Sequence, residues 1–121
     1  MAKFVVHEHF SRTHHFDLRL ERDGVLESWA VPKGMPEGAE KRLAVYTEPH
    51  AMEYGGFEGE IPEGEYGAGK VVIWDSGELK VEEWTEKKIV FAAKGKKLDG
   101  GYILVKTAMG GKSWLVFKKK A

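Results

Sequence analysis

Apolar and polar residues alternate with period two along most of the chain, as where Phe16, Leu18 and Leu20 interleave with His15, Asp17, Arg19 and Glu21. That period belongs to half-buried β-strands, whose successive side chains point to opposite faces. β-Branched and aromatic residues fill these runs, glycine punctuates them, and no long stretch repeats its apolar residues at helical spacing. The pattern predicts strands at Lys3–His9, His15–Glu21, Val25–Ala30, Arg42–Thr47, Lys70–Asp75, Glu78–Trp84, Lys88–Ala92, Tyr102–Thr107 and Ser113–Lys118. Arg22-Asp23-Gly24 and Asp75-Ser76-Gly77 read as tight hairpin turns, and Gly110-Gly111 as a turn before the last strand. So many short strands in so short a chain predict an all-β fold, a small antiparallel β-barrel, because closure removes exposed strand edges.

Two segments do not read as strand: Val31–Glu40, with prolines at 32 and 36, and the long glycine-rich stretch Glu48–Gly69. They are expected to be active-site loops with at most short helical turns, since loops of that length in a compact domain tend to carry function. No repeat, low-complexity tract or linker divides the chain, and residues 1–121 are expected to form a single domain.

Composition narrows the chemistry. Cysteine is absent, so disulfides, thiolate metal sites and cysteine nucleophiles are excluded and any metal must take His, Asp or Glu. Nineteen basic residues balance nineteen acidic ones, which leaves no overall field to attract nucleic acid. Phosphate recognition must therefore rest on local clusters, such as Arg12, Arg19, Arg22, Lys33, Lys41 and Arg42 in the first third of the chain, whereas Lys118–Lys120 reads as a frayed, solvated end. No run approaches the roughly 20 apolar residues of a bilayer-spanning helix, and Met1–Phe10 lacks a signal-peptide core, which predicts a soluble cytoplasmic protein with no membrane partner, expected as a monomer. Asparagine and glutamine are also absent while 31% of residues are charged, a composition compatible with life at high temperature.

Four of the five histidines lie between positions 7 and 15. In a His15–Glu21 strand, His15, Asp17, Arg19 and Glu21 share one face while Phe16, Leu18 and Leu20 face the core. A polar solvent face is the plain structural reading. Against it, the preceding strand ends in His9, which a tight connection would set beside His15, and two imidazoles with one carboxylate make a common three-ligand site for a divalent metal. Arg19, two residues beyond Asp17, suits bidentate recognition of phosphate, with an ion pair to Asp17 or Glu21 as its structural alternative. His7 shares the face of His9 and could support the site or replace a ligand, whereas His14 should point away from His15. The fifth histidine, His50, lies four residues before Tyr54 in the long loop, so one helical turn would set both side chains on one side. With a metal nearby, the pair could contact phosphate, and His50 could protonate a leaving oxygen.

Taken together, these blocks resemble the phosphoesterase family found as the N-terminal module of bacterial DNA ligase D and as stand-alone archaeal and bacterial proteins. The resemblance covers nearly the whole chain. It is carried by Phe4-Val5-Val6-His7-Glu8-His9, His15-Phe16-Asp17-Leu18-Arg19-Leu20-Glu21, Ser28-Trp29-Ala30-Val31-Pro32-Lys33-Gly34 and Arg42-Leu43-Ala44-Val45. Glu48-Pro49-His50, Tyr54, Phe57-Glu58-Gly59 and Ile61-Pro62-Glu63-Gly64-Glu65-Tyr66-Gly67-Ala68-Gly69 continue it. It implies a manganese-dependent enzyme that heals 3′ ends on a small β-barrel, hydrolysing a 3′-phosphate, and 3′-terminal ribonucleotides in DNA primer-templates, to leave a 3′-hydroxyl for repair. Zn2+ or Co2+ could fill the same site. The resemblance assigns His9, His15 and Asp17 as metal ligands and Arg19, His50 and Tyr54 to the scissile phosphate. Lys33, Arg42 and Glu48 take supporting roles in substrate binding. A ligase and polymerase of non-homologous end joining are the implied partners. Ligase-linked members carry a longer N-terminal arm that helps engage substrate, whereas this chain begins only a few residues before its first strand, so phosphate removal is placed ahead of ribonucleotide removal. Direct attack by water is expected, with metal as Lewis acid and template.

Two rivals remain at this stage. A cupin-like metalloenzyme acting on a small molecule would use His7, His9 and His50 as ligands. A non-catalytic nucleic-acid-binding barrel would stack bases on Trp29, Tyr54, Tyr66 or Trp74, although aromatics in strands are usually core and Trp84 and Trp114 read as structural. The Gly64–Gly69 run lacks the Lys-Ser/Thr ending of a phosphate-cradling loop and is expected to form turns.

Overall fold

The computed structural model describes residues 2–120 and is built almost wholly of antiparallel strand. In chain order these are β1 (Ala2–Phe10), β2 (His14–Arg22), β3 (Val25–Val31), β4 (Arg42–Tyr46), β5 (His50–Ala51), β6 (Gly59–Ile61), β7 (Gly69–Trp84), β8 (Lys88–Lys94), β9 (Asp99–Lys106) and β10 (Ser113–Lys118). A single 3-10 turn at Met52–Gly56 is the only helical element among the described residues, and no helix there is long and apolar enough to cross a membrane.

The strands pair in the order β1-β2-β3-β4-β10-β9-β8-β7, and β7 returns to β1 to close a barrel. Two short strands lie off this ring, β5 on β3 and β6 on the start of β7. Closure leaves β1 with a hydrogen-bonded neighbour on both edges, which is the solution anticipated for a chain of short amphipathic strands.

Alternation decides what lies inside. Phe4, Val6, Leu18, Leu20, Trp29, Val31, Ala44, Leu79, Ile89, Phe91, Tyr102, Leu104, Trp114 and Val116 fill the interior, with the Trp29 ring edge-on to both Tyr46 and Trp114. Full burial of side chains of this size stabilises a fold by about 1.5–3 kcal/mol each before chain entropy is counted. The opposite face of β1, β2 and β3 is buried as well, because the segment from Thr47 to Ala68 folds over it. His7, Asp17, Arg19 and Ser28 are therefore as enclosed as core residues although they face away from the barrel interior.

The turn between β2 and β3 is as expected, with Asp23 and Gly24 both at positive φ. At Asp75-Ser76-Gly77 the structure departs from expectation. Instead of a hairpin, one strand runs from Gly69 to Trp84, pairing with β1 over Lys70–Leu79 and with β8 over Glu78–Trp84. The turn-like residues serve the neighbouring hairpin. The Asp75 carboxylate accepts the backbone N–H groups of Ser76, Lys96, Lys97 and Leu98 at 2.7–2.9 Å, which organises the turn between β8 and β9. Glycine is required at 77 because a Cβ there would collide with the Lys94 carbonyl.

Candidate metal centre

Cross-strand register assembles the site. Pairing of β1 with β2 sets His9 opposite His15 and His7 opposite Asp17, and pairing of β2 with β3 sets Arg19 opposite Ser28. These residues share the outer face under the loop, and the loop adds His50 from β5 and Tyr54 from the 3-10 turn. His9, His15, Asp17, Arg19, His50 and Tyr54 all line one open cleft of about 700 Å³, together with Arg12, Thr13, Thr47, Tyr66 and Gly67.

Each of His9, His15 and Asp17 offers one ligand atom within 4.8 Å of the other two. The hydrogen bonds determine which atoms these are. His9 donates Nε2–H to the Gly67 carbonyl at 2.8 Å, so its Nδ1 is free and lies 3.6 Å from Asp17 Oδ2. His15 donates Nδ1–H to the Thr13 carbonyl at 2.8 Å, so its ligand atom is Nε2, which lies 3.3 Å from Asp17 Oδ1 and hydrogen-bonds to it when protonated. Each imidazole thus faces its own Asp17 oxygen at 3.3–3.6 Å, and with all three ligand atoms within 4.8 Å of one another the group could hold a divalent metal. Backbone carbonyls behind both imidazoles orient the rings as metal-binding histidines require.

The charges are mutually arranged. Burial by itself would push the Asp17 carboxyl up, but the hydrogen bond from His15 and the charge of Arg19 outweigh it and hold the group below the usual carboxylate range. The same hydrogen bond to Asp17 raises His15. Burial lowers the Arg19 guanidinium, opposed by Asp17, but arginine keeps its charge regardless.

Arg19 is held from several sides. Its Nε donates to His7 Nδ1 and one Nη1–H to Ser28 Oγ, both at 2.9 Å, while Nη2 lies 3.5 Å from Asp17 Oδ2. The ring of Tyr54 covers its guanidinium carbon at 4.8 Å. Nη1 also lies 3.3 Å from His50 Nδ1, but that nitrogen is closer, at 3.0 Å, to the Glu48 carbonyl, which can only accept. His50 Nδ1 therefore carries its proton toward Glu48. Arg19 then retains one uncommitted N–H on each terminal nitrogen, the number that a bidentate grip on an oxyanion needs. Burial, and next the charge of Arg19, lowers His50, whereas burial raises Tyr54.

His7 completes the network from beneath. It is fully buried, accepts from Arg19 at Nδ1 and donates Nε2–H to the Phe57 carbonyl at 3.0 Å. Both ring nitrogens are taken, and burial followed by the Arg19 charge lowers its pKa to about 4. A ligand set of His7, His9 and His50 is thus not what the fold brings together. His14 points away from the cleft, hydrogen-bonded to Glu8 and stacked on Phe10.

Lys33, Arg42 and Glu48 do not line the cleft. Arg42 donates to the carbonyls of Lys33, Gly34 and Met35 and so clamps the loop after β3, while Lys33 and Glu48 are exposed. Sequence reasoning passed over Ser28 and the carbonyls of Thr13 and Gly67. Ser28 had one available signal, its place opposite Arg19 if β2 and β3 form a tight hairpin; a carbonyl has none.

Comparison with known proteins adds lineage. A family model described as the DNA Ligase D 3′-phosphoesterase domain matches residues 7–106. The chain is 50% identical to the multifunctional non-homologous end joining protein LigD of Mycolicibacterium smegmatis, covering 98% of this chain and 17% of that protein. It is 47% identical to its counterpart in Mycobacterium bovis, over 97% of this chain and 16% of the relative. For LigD of Pseudomonas aeruginosa the identity is 44%, over 99% of this chain and 15% of the relative. The chain thus spans about a sixth of the length of these relatives.

Proposed function

Because the chain belongs to the DNA ligase D 3′-phosphoesterase domain family, we propose that residues 1–121 form one metal-dependent phosphoesterase domain that heals nucleic-acid 3′ ends. It hydrolyses a 3′-terminal phosphate, and secondarily a 3′-terminal ribonucleotide diester, to leave a 3′-hydroxyl for repair by end joining. The observation that carries this reading is the convergence of the free ligand atoms of His9, His15 and Asp17 beside Arg19, His50 and Tyr54 in one cleft.

In this reading His9 Nδ1, His15 Nε2 and one Asp17 oxygen hold a divalent metal, manganese by family resemblance, with Zn2+ or Co2+ as alternatives. When bound, the metal supplies Lewis-acid polarisation of the phosphoryl group. The protein's own groups do the remainder. Arg19 grips the phosphate through its two uncommitted N–H groups and balances the charge that grows on the equatorial oxygens. Its guanidinium cannot swing away, since His7, Ser28 and Tyr54 hold it. His50 lines the cleft with Nδ1–H on Glu48 and Nε2 uncommitted; a phosphate dianion nearby favours its protonated form and so equips it to donate to the leaving oxygen. Attack by water is the route proposed. The cellular setting is cytoplasmic, with a ligase and polymerase of end joining acting on the product.

The test is phosphate release from a 3′-phosphorylated DNA primer-template with manganese or chelator, comparing the unaltered protein with His9→Ala and Asp17→Ala. Metal-dependent release that both substitutions abolish is expected. An intact end across several metals and substrates would remove the proposal.

A further inference from the structure

Tyr66 is 77% exposed, the most exposed aromatic residue among those described. Other tyrosine rings have partners: Tyr46 meets Trp29, Tyr54 stacks on Phe57 and Tyr102 lies against Phe91. Among the described residues Tyr66 has no aromatic, cation or hydrogen-bond partner, yet it lines the same cleft as Arg19. A single exposed tyrosine is ordinary at a protein surface; what sets Tyr66 apart is that its free ring lines the cleft of the candidate metal ligands.

Its support is firm. Glu65 N–H donates to the Pro62 carbonyl and Ala68 N–H to the Glu65 carbonyl, while the next residue, Gly67, accepts from His9. Arg12 repeats the arrangement on the opposite strand connection. It is exposed, lines the cleft, forms no ion pair among the described residues, and precedes Thr13, whose carbonyl accepts from both His15 and Ser11 Oγ. Each imidazole that offers a ligand atom to the metal therefore anchors, through its other nitrogen, a loop that bears one uncommitted rim residue: an aromatic ring beside His9 and a guanidinium beside His15.

We propose that Tyr66 and Arg12 form a nucleotide subsite at the rim, in which the Tyr66 ring stacks on the base of the 3′-terminal nucleotide and Arg12 pairs with the phosphodiester on its 5′ side. This rests on the reading that a 3′-terminal phosphate occupies the cleft below. In that reading a terminal phosphate at the buried Arg19 directs its sugar and base toward the exposed lining of the same cleft, to which Tyr66 and Arg12 belong. Stacking tolerates any base because every base has a π-face, which suits an enzyme whose substrates share an end and not a sequence. With 19 basic residues balanced by 19 acidic ones, affinity for nucleic acid must come from such local groups.

The probe is a 3′-phosphorylated oligonucleotide with 2-aminopurine as its terminal base, titrated with protein in chelator so that no turnover occurs. The unaltered protein and Tyr66→Phe should quench the fluorophore on binding, whereas Tyr66→Ala should bind about tenfold more weakly without quenching. Arg12→Ala should weaken binding several-fold and reduce the slope of log affinity against log salt by about one, with the quench intact at saturation. An abasic terminal nucleotide should bind all Tyr66 variants alike. The subsite is overturned if Tyr66→Ala binds and quenches like the unaltered protein, or if Tyr66→Phe behaves like Tyr66→Ala, which would assign the effect to the hydroxyl. Phosphate release by the metal-loaded, unaltered protein is read separately on the same oligonucleotide. Release with no effect of Tyr66 sinks the subsite alone; a Tyr66-dependent quench without release supports the subsite and sinks the catalytic reading.

Discussion

Replacement of Asp75 should unfold the protein more readily than its position outside the cleft would suggest. The carboxylate accepts four backbone N–H groups, three of them from the turn between β8 and β9. In Asp75→Ala the N–H groups of Ser76, Lys96 and Lys97 lie where water can reach them, so each loses about 1 kcal/mol. Leu98 is 4% exposed, and its N–H would lose its partner with no replacement, at about 1–3 kcal/mol. The total is about 4–6 kcal/mol. For 121 residues the unfolding entropy is roughly 0.25 kcal/mol/K, which makes the fall in Tm about 16–24 °C. Burial would raise the Asp75 carboxyl, but the N–H bonds prevail and place it below its ordinary 3.8. A depressed folded-state pKa means that the contribution is whole above about pH 4 and is lost as pH falls through the folded value. Urea denaturation of the unaltered protein and Asp75→Ala from pH 7 down to pH 2.5 should show a stability gap that is constant to about pH 4 and narrows below it. A gap under about 1 kcal/mol at pH 7, or one that does not narrow in acid, would refute the reasoning.

Three further outcomes are expected. Calorimetric titration with manganese should show affinity lower by at least about 100-fold in His9→Ala and Asp17→Ala, whatever the activity, because each removes one of three ligands. Arg19→Lys should reduce kcat/KM on a 3′-phosphorylated end by about 10²–10³, since one ammonium cannot serve His7, Ser28 and a phosphate together; steady-state kinetics checks it. Gly77→Ala should destabilise by more than about 2 kcal/mol in thermal melts, because the Lys94 carbonyl occupies the space of the added methyl.

What the sequence disclosed follows from the range of the interactions involved. Period-two alternation in β2 separates Leu18 and Leu20 from Asp17 and Arg19, and the structure puts the first pair in the barrel and the second under the loop. The barrel and the facing of His9 and His15 were legible because strand period and a short connection are local. Asp75-Ser76-Gly77 misled because turn-forming residues also satisfy other needs: this aspartate serves the backbone of a hairpin some twenty residues on, and this glycine makes room for a carbonyl of the neighbouring strand. Ser28 could have been set opposite Arg19 from the Arg22–Gly24 turn, whereas the bond from Arg19 to His7 and the carbonyls that orient His9 and His15 depend on three-dimensional placement that no local pattern carries.

The junction of β1 with β7 has a kinetic meaning. It joins Phe10 to Lys70 and Ala2 to Leu79, residues far apart in the chain, so a long loop must close before any of its hydrogen bonds forms. Refolding should therefore be slow for the protein's size, in the milliseconds-to-seconds range of high-contact-order β-domains. His9 lies in that seam opposite Val71, and Gly67, which orients it, sits just ahead of β7. Parting the seam would dismantle the ligand set, and any ion that prefers the assembled set would act as a clasp on it, retarding the opening of the barrel as well as shifting its equilibrium.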